Sequence, residues 1–284
     1  MIAPPPIPRP IHRRRYPDPV LPLICIDVDG TLVGASGEPT ETVWAAADAA
    51  VARGQHLALS TARAAFGPTF DWARRLDPHG WHVFHAGAAL VHTGTNEVAE
   101  QPLPSTVVEL AAAAAADRGW TVEFYTTRDY RVSDNGPLAT DHAALMGVPV
   151  AVGGPADMTD AVVRVQLVVP HDVVPDAVAA MEPHAEVSTA TSPVQEGVTF
   201  VSITPHGATK AAAIASIAER LGTTVDRVMM VGDGHNDLSA MEAVRHGVAM
   251  GNAEPAVKAA ARYEVPSVSA DGLAVALQLS ADLD

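Results

Sequence analysis

Asp27 and Asp29 stand two residues apart at the end of the apolar run Leu21–Ile26, and Gly30-Thr31 stops that run in a turn. Alternation along a strand would project both carboxylates the same way. Two like charges at the end of an apolar strand repel each other and are costly to desolvate. A bound divalent cation is the simplest compensation, and hard carboxylate oxygens suit magnesium. Asp-X-Asp-Gly also opens calcium loops, but an EF-hand needs Gly at position six, Glu at position twelve and a helix in front. Position six counted from Asp27 is Leu32, and the preceding run reads as a strand.

Other groups of the same chemical kind recur downstream. Thr61 finishes the short apolar run His56–Thr61, and Asp233 follows Val228–Val231 within Val-Gly-Asp-Gly-His-Asn-Asp-Leu, which also carries Asn236 and Asp237. Lys210 lies at the start of the helix that leads into that run. Ligands of open α/β sheets bind at the carboxyl ends of the strands, so groups far apart in sequence can meet there. Such a set suits phosphoryl transfer. One carboxylate can attack phosphorus and form an aspartyl-phosphate that water then hydrolyses. A second can protonate the leaving oxygen and later activate the water. A cation, a lysine, a hydroxyl and the N–H groups of the Asp29-Gly30-Thr31 turn can stabilise charge on the equatorial oxygens. The chain has sixteen arginines and two lysines, Lys210 and Lys258. Against that preference, Lys210 points to a need for a compact ammonium; the bland alternative is a lysine that caps a helix.

The elements that must position these groups follow from periodicity and punctuation. The run before Asp27 has the length of a buried parallel strand. Thr40 can cap a helix over 41–53 that ends at Gly54. A strand over His56–Thr61, a helix near 68–76 and a strand over Trp81–His85 complete the alternation of a doubly wound parallel sheet. The rhythm then changes. Ala88–Leu103 reads as a hairpin, helices are expected near 105–118, 138–146 and 172–182, and strands near 121–125, 130–133, 162–169, 186–190 and 198–203. This is an α+β module inserted into the parallel sheet. The α/β rhythm returns with a helix over 208–221, the strand Val228–Val231, and helices near 236–244, after Pro255 and near 272–280. The expected organisation is a leader at 1–20, a core at 21–87 and 200–284, and a cap at 88–199.

Composition sets outer limits. A chain of 284 residues, nearly half apolar, can bury a substantial core. Its net charge of −15 argues against nucleic-acid and anionic-membrane partners. A local metal could still draw an anionic substrate. Cys25 is the single cysteine and falls inside the first strand, so no internal disulfide can form, in keeping with a reducing cytoplasm. No apolar run reaches membrane-spanning length. Residues 1–20 are Pro-rich, carry Arg13, Arg14 and Arg15, and read as a solvated leader without a signal-peptide core.

Together, Asp27-Val-Asp29-Gly-Thr31, Thr61, Lys210 and Gly232-Asp233-Gly-His-Asn236-Asp237 resemble the four motifs of the haloacid dehalogenase superfamily of phosphatases. The insert between the second and third motifs, the run Asn236-Asp237-Leu-Ser-Ala-Met and the later Gly247-Val-Ala-Met-Gly-Asn252-Ala resemble its Cof-like branch. The resemblance spans most of residues 21–279. It implies a Rossmann-like core with a mobile cap and a magnesium-dependent phosphomonoesterase. By motif, Asp27 would be the nucleophile and Asp29 the general acid/base. Thr61 and Lys210 would hold phosphate, with Gly30, Thr31, Ala62, Arg63 and Asn236 around it. Asp27, Asp233, the carbonyl of Asp29 and a supporting Asp237 would hold magnesium, and Asn236 would touch phosphate or orient Lys210. Two departures stand out: Ala62 replaces the branch's usual Gly, and Ala86 replaces its usual Asn.

Other residues have blander readings. His235 reads as a loop residue. His85 could face the site or serve as a hydrogen-bonded structural group. Arg63 could touch substrate or bridge core and cap, and Glu196 could face the cleft. The function expected from all of this is hydrolysis of a small phosphorylated metabolite of the sugar-phosphate class. A phosphosugar mutase and a silent phospho-ligand binder are the alternatives. The sequence leaves open whether the protein is a monomer or a homodimer.

Overall fold

The computed structural model describes residues 21–191 and 197–283. The expected leader and the expected role of Glu196 lie outside them. The chain runs through β1 (Leu23–Ile26), α1 (Glu41–Ala52), β2 (His56–Leu59), α2 (Pro68–Leu76), β3 (Trp81–Phe84), β4 (Ala89–His92) and β5 (Val98–Glu100). It continues through α3 (Ser105–Arg118), β6 (Thr121–Tyr125), β7 (Tyr130–Val132), α4 (Pro137–Met146), β8 (Arg164–Pro170), α5 (Val174–Met181), β9 (Glu186–Ala190) and β10 (Val198–Thr204). It ends with α6 (Lys210–Arg220), β11 (Val228–Gly232), α7 (Leu238–Ala243), β12 (His246–Ala249), α8 (Pro255–Ala260), β13 (Tyr263–Glu264) and α9 (Gly272–Leu279). The class is α/β, with a parallel central sheet and a cap domain.

The central sheet has the order β13-β12-β11-β1-β2, and all its pairings are parallel. Every residue of β1 and β11 is buried, because helices cover both faces. Thr40 caps α1 as its type suggests, accepting a bond from the Val43 amide at 3.2 Å.

The third strand holds to the parallel sheet more loosely than expected, by one parallel bridge. β3 touches β2 through a single bridge, Ser60 to Val83, and pairs antiparallel with β4 to open the three-stranded sheet β3-β4-β5. Leu90 and Val91 of β4 belong to the same apolar cluster as β1 and β11, so this hairpin packs on the core rather than starting the cap. The cap sheet is antiparallel, in the order β7-β6-β8-β10-β9. Its own cluster of Val122, Phe124, Val165, Leu167, Val169, Val201 and Ile203 lies with α3 and α5 residues such as Val108, Ala111, Ala177 and Met181. The junction expected at 199/200 falls inside β10, which needs its whole length to pair with β8 and β9. None of the described helices is long and apolar enough to cross a membrane.

Candidate active site

β1 and β11 are neighbours, with Ile26 opposite Val231, and the Asp27 amide extends the ladder by donating to the Val231 carbonyl at 2.9 Å. The chain segments carrying Asp27 and Asp233 therefore leave the sheet side by side. Lys210 is the first residue of α6, fixed there by Thr209, whose hydroxyl accepts a bond from the Ala212 amide. The lysine side chain is 1% exposed and donates to Asp27 Oδ1 and Asp237 Oδ1, each at 2.6 Å. Asp237 Oδ2 in turn accepts bonds from the amides of Asp233 and Gly234. Asp237, rather than Asn236, is thus what orients Lys210; Asn236 lies half-buried in the turn His235–Asp237.

Asp233 is held by two donors. Thr31 Oγ1 donates to its Oδ1 at 3.2 Å, and Asn252 Nδ2 donates to its Oδ2 at 3.0 Å. The same Asn252 nitrogen donates to the Gly30 carbonyl, and its oxygen accepts from the Val268 amide. Asn252 therefore ties the first and fourth motifs together. Its run was visible in the sequence, but nothing there marked this residue as a brace. Gly30 has φ +80°, and a Cβ there would collide with the Asp233 carboxylate, so both the turn and the close approach require glycine.

Ligand oxygens of Asp27, Asp233 and Asp237 all lie within 4.8 Å of one another. Burial, and then the Asp237 charge, push the Asp27 carboxyl well above the usual carboxylate range despite Lys210. The same two causes push Asp233 up to about 7. Burial opposes the Lys210 charge, yet the two carboxylates hold the ammonium above its ordinary value. One lysine cannot neutralise three carboxylates. Converging hard oxygens with surplus negative charge fit a magnesium ion.

Asp29 behaves differently from its neighbour. β1 stops at Ile26, and Asp29 lies in a turn closed by bonds from Gly30 N to Val33 O and from Val33 N to Val28 O. Strand alternation therefore does not align the two carboxylates. Asp27 points inward with its side chain 7% exposed, whereas the Asp29 side chain is 52% exposed in the cleft. Both Asp29 oxygens accept bonds from Arg63, at 2.9 and 2.7 Å, a pairing within the core rather than between core and cap. Thr61 is buried, and its hydroxyl accepts the Arg63 amide bond at 3.1 Å.

The segment His85–Gly87 turns beneath this loop. The Ala86 amide donates to the Thr61 carbonyl and the His85 amide to the Arg63 carbonyl, both at 3.0 Å. His85 itself does not take the hydrogen-bonded role. It is fully buried with φ +51°, and neither ring nitrogen has a partner among the described residues. Burial, with the Arg164 charge adding to it, holds its imidazole well below the usual histidine range. His235 is an exposed loop residue whose amide donates to Glu254.

A cleft of about 290 Å³ opens between the core and the cap. Asp29, Ala62 and Arg63 border it from the core, and Arg164, Gln166 and Ser202 from the cap. Nothing in the sequence marked these cap residues, because Val162–Val169 showed only alternation and 198–203 only a strand.

A family model described as haloacid dehalogenase-like hydrolase matches residues 24–277. A candidate phosphatase of Streptococcus pyogenes serotype M6 is 25% identical over 90% of this chain and 97% of its own length. A 5-amino-6-(5-phospho-D-ribitylamino)uracil phosphatase of Bacillus subtilis is 40% identical over 28% of this chain and 32% of its own. Two solved structures superpose with a TM-score of 0.79, each covering 90% of this chain and 98% of the other. One is a haloacid dehalogenase-like hydrolase from Bacteroides thetaiotaomicron, at 24% identity; the other, at 23%, is described as a subclass IIB sugar phosphatase. At those identities the likeness concerns the fold.

Proposed function

The chain belongs to the haloacid dehalogenase-like hydrolases and is a phosphatase of that family, and we propose that it removes phosphate from a small phosphorylated metabolite through an aspartyl-phosphate on Asp27. The observation that carries this reading is the buried ammonium of Lys210, 2.6 Å from both Asp27 and Asp237, beside Asp233. Lys210 engages Asp27 Oδ1, which leaves Oδ2 to attack phosphorus. Magnesium held by Asp27, Asp233 and the Asp29 carbonyl, with Asp237 supporting, would supply positive charge beside the phosphoryl oxygens. Lys210, Thr61, Thr31 and the amides of the Asp29-Gly30-Thr31 turn would receive those oxygens, while Ala62 and Asn236 border them.

Asp29 faces the cleft, where a leaving alcohol would lie. As an acid it would give that oxygen its proton, and as a base it would take one from the attacking water. Arg63 must first release it, because the present pairing occupies both carboxylate oxygens. Arg63 would then be free to contact the substrate. The narrow cleft favours small substrates, and the solved neighbour described as a sugar phosphatase supports a sugar-phosphate class.

The test is orthophosphate release from an aryl phosphate with and without magnesium. Asp27→Asn should lower turnover by on the order of 10³-fold or more while keeping the circular dichroism and melting temperature of the parent. Full turnover in that variant would overturn the assignment. Release of orthophosphate by the parent would separate a hydrolase from a mutase and from a silent binder.

A further inference from the structure

The cap sheet turns one face to its helices and the other to the core. Along β8, Val165, Leu167 and Val169 enter the apolar cluster under α3 and α5, so Arg164 and Gln166 face the opposite way. Arg164 stands opposite Tyr125 of β6, at the end of β8 nearest the core. It is 3% exposed, yet it borders the cleft.

The bonding of this guanidinium is incomplete. One terminal nitrogen donates to the Ala62 carbonyl of the core. The guanidinium carbon lies over the Tyr125 ring, 4.1 Å from its centre. Nε is buried and has no partner among the described residues. Glu123, on the same face, is engaged by Tyr125 Oη, Gln166 Nε2 and His142 Nδ1, each at 2.7 Å, and forms no ion pair with Arg164. The Glu123 charge is felt by Arg164, but its oxygens are taken by other donors, which leaves the guanidinium without a direct ion pair. A buried charge so placed is costly, and a planar guanidinium matches paired anionic oxygens better than any other side chain. Arg63, paired with Asp29 in this structure, lines the same cleft, so its charge offsets that of Asp29 on the core side. Phe66, Leu145, Met146 and Phe200 supply apolar wall where a substrate body can lie, among polar lining that includes His142, Thr191 and a Glu38 carboxylate bonded to Trp72 Nε1.

We propose that Arg164 binds a second anionic group, a carboxylate or a phosphoryl group, carried on the alcohol portion of the phosphomonoester. This deepens the phosphatase reading and rests on it. The phosphate that reacts lies at Asp27, and the second anion lies across the cleft against the cap. Arg164 then sets which alcohol is accepted, and its bond to Ala62 makes docking of that group and closure of the cap a single event.

The test compares kcat/KM on phenyl phosphate, on its 3- and 4-carboxy derivatives and on 1,4-phenylene bisphosphate. The parent enzyme should favour at least one charged ester by about tenfold or more over phenyl phosphate. Arg164→Gln should bring that ratio to within about twofold of unity, and Arg164→Lys should keep part of it. Whether the carboxylates or the bisphosphate gain most distinguishes the two sources of the anion. The difference in leaving group is common to all three proteins, so the change in ratio belongs to Arg164. No preference in the parent, or a preference that survives Arg164→Gln, would overturn the proposal. So would an equal loss on every ester, which is what a purely structural role at Ala62 predicts. Calorimetric binding of 4-phosphonobenzoate against phenylphosphonate gives the same comparison without turnover. Binding discrimination that depends on Arg164 in a protein that hydrolyses no ester would sink the phosphatase reading and leave this one standing. Hydrolysis without discrimination would do the reverse.

Discussion

Crowding three carboxylates around one ammonium makes the acidic cluster sensitive to protons and to cations together. Asp233, pushed up to about 7 by burial and by Asp237, prefers a proton in the metal-free fold. A group whose folded value exceeds its unfolded one stabilises fully below the unfolded value, near 3.8, and loses that contribution as pH rises through about 7. A cation must displace this proton. Magnesium affinity should therefore weaken by up to about tenfold per unit as pH falls below 7, for one displaced proton. Calorimetric titration at pH 6, 7 and 8 measures this, together with a magnesium-induced rise in melting temperature that is larger at pH 8 than at pH 6. An affinity flat across that range contradicts it. Asp27, Asp233 and Lys210 stand out in the sequence, as charges closing apolar runs and a lysine in a chain of arginines, whereas Asp237 came forward only through the motif resemblance. Asn252 and Arg164 do not stand out, since an Asn in a loop and an Arg in an alternating strand are ordinary until neighbours from elsewhere in the chain arrive.

Elements matter here mainly through where they end. Gly87 has φ +110°, and a Cβ there would run into the carbonyl of Thr209, the residue that caps α6 and sets Lys210 in place. The turn after β3 and the start of α6 are thereby locked together. Gly87→Ala should cost on the order of 2 kcal/mol in urea unfolding. It should also lower kcat, because Lys210 must shift. The matching control is Gly119→Ala, with φ +67° and nothing within 4 Å of the added methyl, which should cost only the left-handed strain of about 1 kcal/mol and leave kcat alone. Equal effects at both sites would mean that the Thr209 contact carries nothing. Most elements were readable from periodicity and caps, as with Thr40 before α1 and Pro255 opening α8. The partner of β3 was not. A strand does not encode which edge it joins, and Trp81–Phe84 pairs mainly with the hairpin strand that follows it while holding to the parallel sheet through one parallel bridge, Ser60 to Val83.

At the scale of the molecule, the two largest apolar clusters among the described residues are built from different stretches of chain. Leu103 already belongs to the cap cluster and bonds to the Val162 carbonyl, while Gln101 still bonds to Ala88. The first passage to the cap therefore falls between them, and the return falls between Thr204 and the small seam of Ala88, Val163 and Ala208. The chain crosses twice, and most of the apolar burial on either side involves residues from that side alone. A cavity made in the cap should then loosen the cap without loosening the core. Leu167 is fully buried in the cap cluster, and Leu167→Ala should cost about 2–5 kcal/mol there. Hydrogen exchange should speed up at amides of β6, β8 and β10, while those of β1 and β11 keep parental protection and magnesium binds as before. Selectivity among esters should fall in the same variant, because Arg164 and Gln166 ride on the strand that carries Leu167. Faster exchange in β1 and β11 to the same degree would show instead that core and cap unfold as one body, and that the sheet bearing Arg164 cannot move without disturbing the one bearing Asp27.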